Sequence, residues 1–232
     1  MTRMNHVAYA RMGICNPVNP DAIEAMLDRT DLKAGDRAAE LGCGNGALAA
    51  FLAGRGLAVE AFERDPVLAE MARGRSGAIT VREGEADALA AEGAPWRLLA
   101  ALGSTGLGDL GRLAAWLEPG GWLLWGDLFW KGEPDPALNA AMGNPDYATD
   151  AGWRARGEAA GLELVEARIS PDEEWDAYTG ALDSAVHAWA AENLDHPDRA
   201  AVVQRAELLL TYWRSAGRSA LGFSLYLFRK PA

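Results

Sequence analysis

Eight residues, Glu40-Leu41-Gly42-Cys43-Gly44-Asn45-Gly46-Ala47, concentrate the chemistry of the chain. A short apolar run ends there in an acid, and alternate glycines follow. Glycines at that spacing let the backbone turn tightly and let a ligand approach main-chain amides. A helix starting at Ala47 would add its free N–H groups to the same place. Gly42, Gly44 and Ala47 satisfy a G-x-G-x-x-A dinucleotide pattern, and Glu63 closes the next apolar run about 20 residues on, where an acid takes ribose hydroxyls. Any free ribose would meet Glu63, so that acid alone does not choose a cofactor. Glu40 does. A carboxylate near the end of a strand covered on both faces costs several kcal/mol unless it has a partner. A dinucleotide offers nothing cationic there, whereas S-adenosylmethionine (SAM) carries an ammonium and a sulfonium. Glu40 could also accept hydrogen bonds from the loop's own amides, and that role does not exclude the first.

Methyl transfer from a sulfonium needs an in-line nucleophile about 3 Å from the methyl carbon and a pocket that excludes water. It needs no metal, and His6, His187 and His196 are too scattered to suggest one. No G-x-S-x-G elbow points to a hydrolase. The candidates for the chemistry itself are Asp127, His6 and Tyr9. Asp127 closes an apolar run whose end should face a cleft, although it would also cap the next turn. His6 and Tyr9 belong to a segment placed to fold over a pocket. Asp127, Trp130, Trp175 and Tyr178 are the candidates for contact with a substrate. His187 follows Asp183 by four residues on a polar face and reads as half of a solvated pair. His196, in a helix-start turn, reads as structural.

Regular elements must hold these groups in place. Apolar runs at 37–41, 57–63, 79–82, 98–102, 121–128 and 162–169 read as strands, with helices at 47–52, from Pro66, and at 107–117. The last of these helices is stopped by Glu118-Pro119-Gly120-Gly121. Asn19-Pro20 opens an earlier helix whose buried face is Ile23, Met26 and Leu27. Strands spaced by helix-length segments imply a parallel sheet covered on both faces. After the sixth strand, Trp175, Tyr178, Leu182, Val186 and Trp189 form one helical stripe, and Val202, Ala206, Leu209, Leu210 and Trp213 form a second. A closing strand follows at 221–228. Ligands of open α/β sheets bind beyond the carboxyl ends of the strands. If the sixth strand is parallel, the helical pair leaves from that side and should cap the cofactor, with a dimerisation arm as the rival reading.

The order of these motifs resembles the class I, Rossmann-like SAM-dependent methyltransferases. A-A-E-L-G-C-G-N-G (38–46) is similar to that family's first motif, and V-E-A-F-E-R-D-P (59–66) to its second. G-E-A (84–86) is similar to the G-D-A after the third strand, and A-L-G-S (101–104) to the end of the fourth. L-E-P-G-G-W-L-L-W-G-D (117–127) resembles the family's L-x-P-G-G turn and fifth strand. The resemblance covers about residues 36–130. It implies that Glu40, Gly42, Cys43, Gly44, Gly46, Glu63, Arg64, Glu85, Ala86 and Ala101 hold the cofactor. It also implies S-adenosyl-L-homocysteine (SAH) as product, and the rest of the chain, with its E-W-D-x-Y stretch (174–178) and closing L-G-F strand, resembles a bacterial branch acting on small molecules. Arg97 stands where the family commonly has an acid, and Glu85 where it has Asp. The expected architecture is three-layer, doubly wound α/β: a mostly parallel seven-stranded sheet with helices on both faces and a helical insertion before the last strand. One domain over 1–232 is expected, with a helical segment at 1–35, a core at 36–170, a cap at 171–217 and the final strand at 218–232.

Composition sets the outer bounds. Half of the 232 residues are apolar and 24% are charged, which excludes disordered and collagen-like chains. Net charge is −11, so nucleic acid and anionic membrane are poor partners. Cys15 and Cys43 cannot build a disulfide framework and suit a reducing cytoplasm. Residues 1–6 lack the apolar stretch of a signal peptide, and the run 122–125 is far too short to span a membrane. The chain reads as a cytoplasmic monomer or homodimer acting on a small molecule. The competing functions are an NAD-dependent oxidoreductase, disfavoured by Glu40, and a SAM-binding module without transfer activity.

Overall fold

In the computed structural model, residues 3–143 and 145–232 are described. Met1 and Thr2, the opening of the stretch read as lacking a leader, lie outside them. Seven strands form one sheet: β1 (Arg37–Leu41), β2 (Ala58–Glu63), β3 (Ile79–Glu83), β4 (Trp96–Leu102), β5 (Leu117–Trp130), β6 (Glu163–Ile169) and β7 (Leu221–Arg229). Their order is β3-β2-β1-β4-β5-β7-β6. Strand β7 runs antiparallel to both β5 and β6, so β6 is parallel to the rest and delivers its carboxyl end to the side where ligands bind. The mostly parallel doubly wound sheet is the one expected.

The early helices are α1 (Arg3–Tyr9), α2 (Pro20–Leu27), α3 (Ala47–Gly54), α4 (Pro66–Arg75) and α5 (Ala86–Gly93). They are followed by α6 (Leu110–Trp116), α7 (Pro136–Ala141), α8 (Asp150–Ala159), α9 (Asp172–Glu192) and α10 (Arg199–Tyr212). Their starts are written in the sequence. The Asn19 side chain accepts from the Asp21 amide, Asp65 from those of Val67 and Leu68, and both are followed by a helix-opening proline. One sheet face packs on α2, α3, α4 and the start of α9, through residues such as Ile23, Leu52, Ala72 and Trp175. The other packs on α5, α6 and α8, through Ala90, Leu113 and Trp153. A third apolar cluster joins Met4, Val7 and Ala8 of α1 to Leu182 and Val186 of α9 and to Val202 and Ala206 of α10. The first helix and the insertion therefore share a core of their own.

Two boundaries differ from the sequence expectation. Pro119-Gly120-Gly121 does not precede the fifth strand but lies within it. The β4–β5 register shifts between Trp96 and Leu98, and Gly120 takes a positive φ, which together absorb the irregular stretch. The helix expected over 107–117 divides into a 3-10 turn, Thr105–Leu107, and α6. The break falls where the Asp109 side chain caps the new start by accepting from the Arg112 amide.

Candidate functional site

Alternation along β1 sends Ala39 and Leu41 towards the α5–α6 face and Ala38 and Glu40 towards α3. Glu40 accepts a backbone hydrogen bond from Ala49 in the first turn of α3, while its Oε2 is buried without a partner. Burial pushes its carboxyl up to about 8, and the nearby Glu63 charge adds to the rise. The loop that follows is tied down by Gly42 and Cys43, whose amides both donate to the Phe62 carbonyl, at 2.9 and 3.0 Å. Its three glycines all have positive φ, but for different reasons. A Cβ on Gly42 would lie 2.5 Å from Ser104 Oγ, and one on Gly46 would lie 2.8 Å from the Ala72 backbone. A Cβ on Gly44 would meet nothing within 4 Å and would stand in open space.

Glu63 closes β2 and holds the loop from the other side. Its Oε2 accepts from the Gly44 amide at 2.8 Å and its Oε1 from the Asp65 amide at 2.9 Å. Around this acid lies a cleft of two lobes that meet at Gly42, Glu63 and Gly103. The inner lobe is bounded by Glu40, Cys43, Gly44, Ile14 and Tyr9, and the outer one by Arg64, Glu85, Ala86 and Ser104. Arg64 and Glu85 are both exposed at the mouth, 3.8 Å apart. Two of the expected cofactor contacts do not reach the cleft. Gly46 packs against α4, and Ala101 is wholly buried with Leu99 and Leu123, so Leu102 and Gly103 line the cleft instead. Arg97, the departure at the start of β4, stands among Asp31, Asp36 and Glu118 at the opposite end of its strand.

A strap, residues 9–17, crosses the inner lobe. The side-chain amide of Asn45 donates to the carbonyls of Tyr9, Met12 and Gly13 at 2.9–3.0 Å, and Arg75 donates to those of Asn45 and Met12. Farther along, Asn16 donates to the Leu102 carbonyl at 3.3 Å. Sequence reasoning missed these fasteners. An Asn between glycines reads as a turn former, and its partners lie some thirty residues away, beyond any local pattern.

Beyond the strap is a second, apolar cavity of about 270 Å³. It shares the wall Tyr9, Cys15, Asn16 and Gly103 with the inner lobe of the cleft. Its roof comes from α9, α10 and a π-helical turn, Trp213–Gly217. Trp175 stacks on Trp213 with ring centres 3.8 Å apart and 18° between planes, and meets Tyr178 edge-on at 6.4 Å. The hydroxyls of Tyr178 and Tyr9 hydrogen-bond to each other, and burial raises both phenols above their ordinary range. Burial also pushes the Cys15 thiol up to about 12 and raises that of Cys43, so both sulfurs are neutral.

The remaining candidates scatter. Asp127 contributes to the cavity floor, and its Oδ1 accepts from the Leu128 amide at 2.8 Å. It pairs with Ser224 in register, so the pleat turns its side chain towards the Trp125 and Phe129 face. Trp130 is buried with Leu138 and Leu221 beside the cavity. His6 bonds to Asp65 at 2.8 Å, outside both cavities, and it counters the burial of that acid and holds its carboxyl below the usual range. His187 pairs with Asp183 at 3.3 Å on an exposed face, and His196 packs on the Trp189 ring. Among the described residues, no three His, Cys, Asp or Glu side chains gather where they could hold a metal ion.

No protein-family model matches the chain, and no curated protein sequence matches it. Solved structures do. A SAM-dependent methyltransferase from Geobacter sulfurreducens in complex with SAH is 23% identical with a TM-score of 0.82, over 100% of this chain and 99% of that one. A SAM-dependent methyltransferase from Thiobacillus denitrificans, also in complex with SAH, is 22% identical with a TM-score of 0.81, over 98% of both chains. YjhP from E. coli is 21% identical with a TM-score of 0.79, over 98% of this chain and 99% of its own. From end to end, the chain has the Rossmann-like fold of the SAM-dependent methyltransferases.

Proposed function

We propose that this protein transfers the methyl group of SAM to a small-molecule acceptor held under the helical cap and releases SAH. The observation that carries this reading is the meeting of two cavities, one acidic and glycine-lined, the other apolar and roofed, at the wall of Tyr9, Cys15, Asn16 and Gly103. SAM supplies an electrophilic methyl group on a positively charged sulfur. The cleft fits such a ligand. Glu40 presents a buried oxygen without a partner in the fold, to suit a cation, and Gly44 leaves open the space that a side chain would fill. Glu63, at the junction of the lobes, is the acid for ribose, with Arg64, Glu85 and Ala86 towards the base. The cap, built from α1, α9 and α10, excludes water from the acceptor. Of the candidate chemical groups, Tyr9 stands at the shared wall and is the one placed to orient an acceptor, with Trp175 and Tyr178 as substrate contacts.

Two unpaired cysteines support a reducing, cytoplasmic setting, and the net charge of −11 disfavours nucleic acid as partner. Among the described residues no helix is long and apolar enough to cross a membrane. The reading takes the particle as a monomer or a homodimer, which light scattering separates. Thermal denaturation tests the cofactor. SAM or SAH at a hundred times its Kd should add about 2.7 kcal/mol and raise Tm by several degrees. A rise with NAD alone would overturn the reading.

A further inference from the structure

The apolar cavity is built to take flat rings and to refuse charge. Its wall contains no Lys, Arg or His among the described residues. A carboxylate or phosphate on a ligand would be buried there without a counter-charge, at a cost of several kcal/mol. Its one acid, Asp127, is committed to the Leu128 amide and turned by the pleat towards the far face of the sheet, so an ammonium ion would fare little better. What the wall does offer is aromatic surface. The helix after α10 loosens into a π turn at Trp213, a distortion often found at functional sites. Gly217 leaves room for the indole, since a Cβ there would lie 2.6 Å from Trp213 Cε3. The ring is thereby laid flat on Trp175, and its Nε1 is buried without a partner. A neutral oxygen or nitrogen acceptor on a ligand would satisfy that N–H.

We infer that the cavity selects an uncharged, planar aromatic molecule, bound against the Trp175–Trp213 pair with its reacting group towards Tyr9. This rests on the methyl-transfer reading above for what the substrate is used for, though not for its recognition. Ring stacking favours planar over puckered ligands. The two tyrosine hydroxyls, both neutral, can hydrogen-bond an uncharged group at the shared wall.

A matched set of ligands on one scaffold tests the inference by calorimetry on the intact, SAH-loaded protein. The set is 2-naphthol, 2-naphthoate, 2-naphthylmethylammonium and the saturated decahydro-2-naphthol. We expect 2-naphthol to bind at least tenfold tighter than either charged analogue and at least fivefold tighter than the saturated alcohol. Trp213→Leu should reduce that planar-over-saturated preference to below twofold while SAH affinity stays within twofold of the parent. A charged analogue that binds as well as 2-naphthol, equal binding of the saturated alcohol, or no binding of 2-naphthol would each overturn the inference, and none of these needs the variant to fold. The two readings fail separately. If SAH does not bind while the protein without it shows the expected preference for 2-naphthol, the methyl-transfer reading falls and the aromatic pocket stands.

Discussion

A buried carboxyl with one unpartnered oxygen, as on Glu40, would couple the arrival of a cationic ligand to the loss of a proton. In the folded protein burial raises this group from 4.5 to about 8. The folded state therefore keeps a proton that the unfolded chain releases near its ordinary value. Stability at this site is full below about pH 4.5 and declines as pH rises towards 8, because folding must then either hold the proton or bury the charge. A cation brought against the carboxylate reverses the preference. Binding of SAM at pH 7 should release up to one proton, and affinity should climb with pH and level off near 8. Calorimetry at pH 7 in buffers of different ionisation enthalpy reads the proton directly. Glu40→Gln should abolish the release, weaken SAM and raise the Tm of the ligand-free protein at pH 8. An undiminished proton count in that variant would place the titration on another group.

The glycine loop acts as an element rather than as three equivalent residues. Gly46 faces the Ala72 backbone at a positive φ, so Gly46→Ala should cost about 2–4 kcal/mol of folding from overlap and left-handed strain. Gly44 faces open space, so Gly44→Ala should cost only about 1 kcal/mol while intruding on the cleft and weakening SAH more than tenfold. Denaturant titration and calorimetry on the pair check this, and unchanged SAH affinity in Gly44→Ala would remove the cleft as its binding place. The loop, Glu40, Glu63 and the six core strands were legible because strand period, glycine spacing and helix caps are local signals. The strap was not. Asn45 reaches back over thirty residues to three carbonyls, His6 finds Asp65 rather than a cleft, and α1 packs on α9 and α10 from the far part of the chain. Nothing in the spacing of those residues encodes a partner so distant. Gly46 and Ala101 mark a related limit. A motif position tells that a residue is needed, but only packing tells whether a ligand or a neighbouring helix needs it.

At the scale of the molecule, the third apolar cluster binds the first helix to the insertion, so the roof over the apolar cavity is anchored to a segment about 170 residues away in sequence. Strand β7 has the same character within the sheet. It lies between β5 and β6 with nine paired positions on one side and six on the other, yet both neighbours precede it in the chain. During synthesis, one edge of β5 and the whole of β6 therefore lack their strand partner while α9 and α10 emerge, and both strands present unpaired backbone to any passing strand. The ribosome hands over the keystone of this arch last among its strands. A nascent chain halted after α10 should remain protease-sensitive through β5 and β6. A synthetic peptide of residues 221–232, supplied separately, should provide the missing partner and restore resistance. If the halted chain resists protease without it, those edges are covered by some other means and the order of assembly runs differently.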